Sequence, residues 1–182
     1  MKKSGSRYTV DYDADNQTLS HEIVHSYTDW PYYRSGAMGW FTEGLAEYVG
    51  LTYYRSGIYM PSKTAGYVKE YVTGYGKDGN GGRALGEDIR VGSLKSFMLM
   101  PYTKFTGNAM HCYGVGALLV TYFCDLERDE ELENLQNFLK ALKAGKEGEE
   151  ALEVLLNGRS FEELESSIRK AWKSKGVTLE FQ

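Results

Sequence analysis

The chain has 182 residues, of which 42% are hydrophobic and 25% charged, and its 25 acidic and 21 basic side chains give a formal net charge of −4. This length suits one domain, and this composition excludes a disordered chain. No stripe of basic residues predicts nucleic-acid binding, and no apolar run approaches the ~20 residues that a membrane-spanning helix needs.

The first residues and the cysteines say little about the cellular compartment. The basic segment Met1–Ser6 is not followed by the apolar run of a signal peptide. The two cysteines, Cys112 and Cys124, are too few for a disulfide framework. In one shared helix they would lie ~18 Å apart along the axis, so we expect no bridge between them.

The N-terminal half is predicted to contain one strand, three helices and two loops. The alternation of Tyr8, Val10 and Tyr12 predicts the strand, and Asp15 or Asn16 suits the N-cap of the first helix. The predicted elements are a strand over Arg7–Asp13, a helix to about Tyr27, a loop over Asp29–Gly39, helices over about Trp40–Tyr54 and Ser62–Val72, and a surface loop over Gly74–Gly92.

From Ser93 onward every predicted element is a helix, because apolar side chains recur there at helical spacing. The predicted fold class is therefore mainly α (α+β). The predicted helices are Ser93–Met100, Ala109–Leu126 behind a cap at Asn108, Leu132–Leu142 before Gly145, Glu149–Leu156, and Phe161–Lys173 behind the capping box Ser160-x-x-Glu163.

The segment His21-Glu22-Ile23-Val24-His25 is the strongest functional motif, and it contains two of the three histidines in the chain. Residues four apart lie on one face of a helix, with about 6 Å of rise between them, so both imidazoles can bind one metal ion. Glu22 is rotated by about 100° from His21 and can reach a water molecule at that ion. The motif predicts a zinc site with His21 and His25 as ligands and Glu22 as the general base.

The third ligand distinguishes the classes of zinc peptidase. A metzincin would have glycine and histidine at positions 28 and 31, where this chain has Thr28 and Pro31. Instead, Glu43 on the next predicted helix offers an oxygen ligand and leaves the fourth position for water. Glu47, one turn further on, can hydrogen-bond a ligating imidazole and fix its tautomer.

Alternative interpretations of these acidic residues stay open. Asp29, in the loop behind the first helix, is the other candidate for the third ligand. Glu43 and Glu47 could also be a pair of exposed carboxylates on a helix surface, with no role at a metal.

The HEIVH segment, followed by WFTEGLAEY over Trp40–Tyr48, resembles the gluzincin metallopeptidases, in particular the aminopeptidase-N-like and peptidase-MA-like groups. The segment Tyr113–Val120, YGVGALLV, is similar to their tyrosine segment, which implies that Tyr113 stabilises the oxyanion. The resemblance covers about Thr18–Lys173. It implies hydrolysis of peptide bonds in a peptide or protein substrate, Zn²⁺ as cofactor, and a zincin-like domain with an active-site helix, a glutamate helix and a C-terminal helical bundle.

The chain departs from that family in two ways. Gluzincin catalytic domains carry a β-rich portion before the active-site helix, and only residues 1–20 precede His21. The Gly-x-Met-Glu-Asn segment that binds a free amine in aminopeptidases is absent from this sequence, so aminopeptidase activity is not expected of it. Residues 1–182 are therefore expected to form one domain, as a reduced version or as the C-terminal part of a longer protein. The resemblance implies an extracytoplasmic or secreted location.

A second class of function fits the same sequence. A non-catalytic module could keep the fold and the zinc and use its tyrosines, 15 in all, to hold peptide or glycan. The reduced N-terminal portion favours this alternative, whereas Glu22 argues against it, because a structural zinc needs no base. His111 and Tyr113, at the start of the Ala109–Leu126 helix, are further candidates to face the zinc, and ordinary packing is the alternative for both.

Overall fold

The computed structural model is mainly helical, as the sequence predicts. It describes residues 2–4, 7–9, 12–28, 38–53, 58–74, 82–127 and 132–182, with side chains from residue 15 onward. The helices are α1 (Tyr12–Tyr27), α2 (Gly39–Thr52), α3 (Thr64–Thr73), α4 (Leu94–Met98), α5 (Tyr102–Gly107), α6 (Ala109–Thr121), α7 (Glu133–Lys143), α8 (Gly148–Leu156) and α9 (Phe161–Lys173).

The described strands form two separate two-stranded sheets. β1 (Lys2–Ser4) pairs antiparallel with β2 (Arg7–Thr9). β3 (Asp88–Gly92) pairs in parallel with β4 (Thr178–Phe181), with Ile89 opposite Leu179. Both of these apolar side chains are buried, so the parallel pair anchors the end of the chain to its middle.

The N-terminal boundaries differ from the prediction. The strand ends at Thr9 rather than Asp13, and α1 already begins at Tyr12. Asp15 and Asn16 therefore lie inside α1, and neither is its N-cap. An acidic residue is favourable in the first turn of a helix as well as at its cap, so Asp15 is compatible with the earlier start.

The loop predicted over Gly74–Gly92 is wrong in its last five residues, which form β3. The sequence pattern does not predict β1, β4 or α5 either. A strand of three to five residues carries little periodicity, and β3 and β4 are stabilised by each other across the whole C-terminal half of the chain. Residues 75–81 of the predicted loop lie outside the described residues.

The other predicted helices are confirmed with small shifts at their ends. The Ala109–Leu126 segment is α6 followed by a π-helical turn at Tyr122–Leu126, and the side chain of Asn108 makes no capping hydrogen bond. The capping box before α9 is present: Ser160 Oγ accepts from the Glu163 amide at 3.2 Å, and Glu163 Oε2 accepts from the Ser160 amide at 2.8 Å. Cys112 and Cys124 are free thiols, as expected.

The core is centred on α2, which packs against α1 on one side and α6 on the other. Four buried aromatic rings hold the α2 N-terminus to α7 and to the π-helical turn after α6, with centroids 5.6–6.0 Å apart: Trp40, Phe41, Phe123 and Phe138. From α9, the buried indole of Trp172 donates to the carbonyl of Leu118 at 3.1 Å. The position of α2 is therefore fixed by packing against neighbouring helices on two sides.

The sequence predicts no apolar run of spanning length, but within the described residues the segment Ala109–Leu126 is, by length and composition alone, long and apolar enough to cross a membrane. Of this segment, 61% is buried inside the fold. That is the ordinary behaviour of a core helix.

Candidate metal centre

Two neighbouring helices bring together three side chains of the types that can bind a metal ion. His21 and His25 lie one turn apart on α1, and Glu43 lies on α2. The His21 Nε2 and His25 Nε2 atoms are 3.2 Å apart, and Glu43 Oε2 is 3.5 Å from the first and 3.4 Å from the second. Three ligand atoms thus form a small, nearly equilateral triangle.

This triangle has the size that a tetrahedral metal site requires. Ligand bonds of about 2.0–2.1 Å at tetrahedral angles place neighbouring ligand atoms about 3.3–3.4 Å apart. The three observed separations lie within 0.2 Å of that range. His21, His25 and Glu43 are therefore a group that could hold a metal ion, with two nitrogen ligands and one oxygen ligand.

Close packing of α1 against α2 makes this triangle possible. A Cβ atom built on Gly50 would lie 2.9 Å from the carbonyl oxygen of Gln17, so only a glycine lets the two backbones approach so closely. Glu47 lies about one turn before Gly50 and Glu43 about two turns before it, and both side chains are buried between the helices. They are not the exposed pair of carboxylates that the sequence also allowed.

Glu47 lies on the far side of the His21 ring from Glu43. Its Oε1 atom lies 3.7 Å from His21 Nδ1, while His21 Nε2 faces Glu43. The same Oε1 atom accepts a hydrogen bond from Arg83 Nη2, and the other oxygen, Oε2, accepts from Gln17 Nε2 at 3.3 Å. Both oxygens of Glu47 are thus occupied, and its carboxylate is held in one orientation.

Two tyrosines approach Glu43. The hydroxyl of Tyr102 donates to Glu43 Oε1 at 2.5 Å, which leaves Oε2 facing the histidines. The Tyr113 ring stacks against His21 with centroids 6.4 Å apart, and against Phe105 at 5.7 Å. Burial, with the neighbouring charge and hydrogen bond of Glu43, raises the pKa of Tyr113 to about 12. Tyr113 is therefore a protonated donor at neutral pH.

Charges within the site affect His21 and Glu43 in opposite directions. Burial alone would lower the pKa of His21, but its hydrogen bond to Glu43 and the nearby charges of Glu47, Glu43 and Glu22 outweigh burial and raise it. Burial alone would raise the pKa of Glu43, but hydrogen bonds from His21 and Tyr102 and the charges of both histidines lower it. The site therefore favours an anionic Glu43 and attracts positive charge, whether a proton or a metal ion.

Three further residues are candidates for this site from the sequence: Glu22, His111 and Asp29. Glu22 is exposed on α1, next to His21, and its charge acts on that ring. His111 is half-buried on α6 and is not a member of the ligand group found among the described residues. Burial lowers its pKa. Asp29 lies outside the described residues.

Three residues that contact this site are not predicted from the sequence: Gln17, Arg83 and Tyr102. Gln17 has a weak signal, because it lies one turn before His21 on the same helix. Arg83 comes from the segment before β3 and Tyr102 from the short helix α5, and no spacing relates either to the HEIVH motif. Tyr102 is also one of 15 tyrosines.

No family model, curated protein or solved structure matches the chain.

Proposed function

We propose that the chain is a zinc metallopeptidase of gluzincin type, with His21, His25 and Glu43 as the zinc ligands. The observation that supports this most is the triangle of two imidazole nitrogens and one carboxylate oxygen, whose edges of 3.2–3.5 Å match a tetrahedral site. Zinc takes imidazole and carboxylate ligands in this combination in catalytic sites, with three protein ligands rather than four.

Zinc, when bound, supplies a Lewis acid that lowers the pKa of water to about 7 and polarises a carbonyl oxygen. The residues of the chain would supply the remaining chemistry. Glu22 would accept the proton of the attacking water and pass it to the leaving amine, a role that is typically worth about 10²–10⁴-fold in rate. Its exposure on α1 beside His21 gives water and substrate access to its carboxylate.

Two further groups support catalysis in this proposal. Glu47 would hold His21 with Nε2 toward the metal, because its carboxylate faces the other ring nitrogen. Tyr113 would donate a hydrogen bond to the oxyanion that develops on the scissile carbonyl, since its phenol stays protonated and lies next to Glu43 and His21.

The test combines metal content with turnover. The wild-type chain should bind one zinc ion per chain, measured by mass spectrometry, and should cleave members of a quenched fluorescent peptide library. Glu22→Gln should keep the zinc and lose most of the turnover, because an amide cannot accept the proton. Glu153→Gln changes an exposed glutamate of α8 in the same way and should leave both properties unchanged.

Two results would contradict the proposal. Full turnover by Glu22→Gln would show that Glu22 is not the base and that the mechanism is wrong. One zinc per chain with no cleavage of any library peptide would favour the non-catalytic module, and binding of unmodified peptides or glycans to the zinc-loaded chain would then identify its ligand.

A further inference from the structure

Arg83 reaches the metal centre from a segment without a functional motif. Backbone hydrogen bonds fix this segment to the end of α3: the Arg83 amide donates to the Tyr71 carbonyl at 2.7 Å, and the Leu85 amide donates to the Val72 carbonyl at 2.9 Å. The side chain of Arg83 is only 14% exposed. Its position is therefore well determined, and it points into the protein.

The guanidinium group of Arg83 lies between two aromatic rings. Its Cζ atom is 5.3 Å from the ring centroid of Tyr71 and 5.0 Å from that of Tyr113. Tyr113 in turn stacks against His21. A planar guanidinium can contact both rings and still donate a hydrogen bond in its plane, whereas a lysine ammonium group cannot stack in this way.

The donor in that plane, Nη2, binds Glu47 Oε1, the oxygen that faces His21 Nδ1. Glu47 is almost completely buried, so its carboxylate depends on its protein partners for both charge balance and orientation. Arg83 and Gln17 each hold one of its oxygens. The contacts thus form a chain from Arg83 through Glu47 to the metal-binding imidazole.

We infer that Arg83 is a positioning residue of the metal centre: through Glu47, it holds the His21 imidazole with Nε2 directed at the metal position. The inference rests on the proposed ligand set, but it does not depend on peptide hydrolysis. The groups behind a metal-binding histidine commonly contribute 10–100-fold to metal affinity.

The affinity for Zn²⁺, measured by competition with a chromophoric chelator, tests this role. Arg83→Met removes the charge and the donor and should weaken Zn²⁺ binding about 10–100-fold. Arg83→Lys keeps the charge without the planar group and should restore only part of that affinity. The absorption spectrum of bound Co²⁺ should also change in both variants, because it reports the ligand geometry.

A double-mutant cycle separates the path through Glu47 from other effects. Glu47→Gln should weaken Zn²⁺ binding by a similar factor, and adding Arg83→Met to it should cause little further loss. Arg159→Met is the matched control, because Arg159 forms a comparable, half-buried ion pair with Glu127, a residue outside the ligand group. It should lower the melting temperature but leave the affinity for Zn²⁺ and the Co²⁺ spectrum unchanged.

Other outcomes would overturn the inference. Unchanged Zn²⁺ affinity in both Arg83 variants, with only a lower melting temperature as in Arg159→Met, would show that Arg83 is merely structural. Independent, multiplying losses from Arg83→Met and Glu47→Gln would show that Arg83 does not act through Glu47. A wild-type chain that binds Zn²⁺ but cleaves no peptide contradicts the proposed function alone, because these affinities still decide the role of Arg83.

Discussion

Gly44 of α2 lies directly against Gly116 of α6. A Cβ atom built on Gly44 would fall 2.5 Å from the carbonyl oxygen of Gly116, and one built on Gly116 would fall 3.0 Å from the carbonyl oxygen of Trp40. The two glycines therefore let the backbones of α2 and α6 touch. Since Glu43 precedes Gly44 and Tyr113 lies one turn before Gly116, this contact brings the proposed ligand and the proposed oxyanion donor together.

Gly44→Ala should destabilise the protein although it improves the helix propensity of α2. Alanine gains up to about 1 kcal/mol over glycine inside a helix, but overpacking against a backbone that cannot yield costs about 1–3 kcal/mol or more. The net loss should appear as a lower midpoint of urea denaturation with an unchanged slope.

Gly66→Ala is the matched control for this prediction. Gly66 also lies inside a helix, α3, and a Cβ built on it has no neighbouring atom within 4 Å. This substitution should stabilise the protein by about 0.4–1 kcal/mol. If Gly44→Ala proved as stable as Gly66→Ala, the close contact between α2 and α6 would be wrong.

The proposed ligand set is predictable because most of its signals are local. His21 and His25 are related by one helical turn, as are Glu43 and Glu47, and each pair lies in a segment that the sequence predicts to be a helix. The helices α6 to α9 are predictable for the same reason: in α9, Leu164, Ile168 and Trp172 recur every four residues on the buried face.

The rest of the site depends on contacts between residues far apart in sequence. Arg83 and Glu47 come from different elements, and so do Tyr102 and Glu43. The sequence contains no pattern that connects these residues, because each contact exists only after α3, α5 and α6 have packed around α2. The parallel pairing of β3 with β4 also joins segments far apart in sequence, so no local pattern predicts it.

Glu43→Gln and Glu47→Gln should differ in their effects on Zn²⁺ affinity. Glu47→Gln should weaken binding about 10–100-fold, because it loosens His21 but leaves every ligand in place. Glu43→Gln removes the anionic oxygen of the triangle itself and should weaken binding more. Chelator competition measures both. Equal and negligible effects would show that the third ligand is elsewhere, and Asp29 would be the next residue to test.

Zn²⁺ affinity should fall as the pH is lowered through the raised pKa of His21. The proton and the metal compete for the same imidazole, and the carboxylates around His21 favour the protonated ring when no metal is present. The affinity should therefore begin to fall at a higher pH than an ordinary histidine, with a pKa of 6.5, would allow. Chelator competition from about pH 5 to about pH 9 measures this dependence, and a flat profile would contradict it.

The stability of the metal-free protein should fall toward both high and low pH. A pKa raised on folding contributes stability that is complete below the unfolded value of 6.5 and is lost as the pH rises through the raised value of His21. The lowered pKa of Glu43 contributes stability above the unfolded value of 4.5, which is lost as the pH falls through the lowered value. Urea denaturation in excess chelator should therefore show both contributions in full between pH 4.5 and pH 6.5, and a loss of stability above and below that interval.

The two tyrosines at Glu43 are expected to have different roles. Tyr102 donates directly to Glu43 Oε1, the carboxylate oxygen beside the proposed ligand atom Oε2, and its side chain is partly exposed at the start of α5. Tyr113 is held by stacking against His21 and Phe105, so its ring is rigid and Tyr113→Phe removes only the hydroxyl. The hydroxyl of Tyr102 should fix the orientation of the Glu43 carboxylate. The hydroxyl of Tyr113 should donate a hydrogen bond to the substrate.

Tyr113→Phe should lower kcat by roughly 10²–10³-fold with little change in KM, because the hydrogen bond to the oxyanion exists mainly in the transition state. Zn²⁺ affinity should change little, since Tyr102 still holds Glu43. Tyr102→Phe should instead weaken Zn²⁺ binding about 10–100-fold, and kcat measured at saturating zinc should stay near the wild-type value. Steady-state kinetics and chelator competition on both variants separate the two roles.

His111→Gln is the control for these two substitutions, because His111 also lies at the start of α6 but is not in the ligand group. It should change neither kcat nor Zn²⁺ affinity. A fall in kcat with Tyr102→Phe but not with Tyr113→Phe would exchange the two roles. If activity persisted in Tyr113→Phe while stability dropped by about 1 kcal/mol or less, the scale of one hydrogen bond, Tyr113 would be a core residue only.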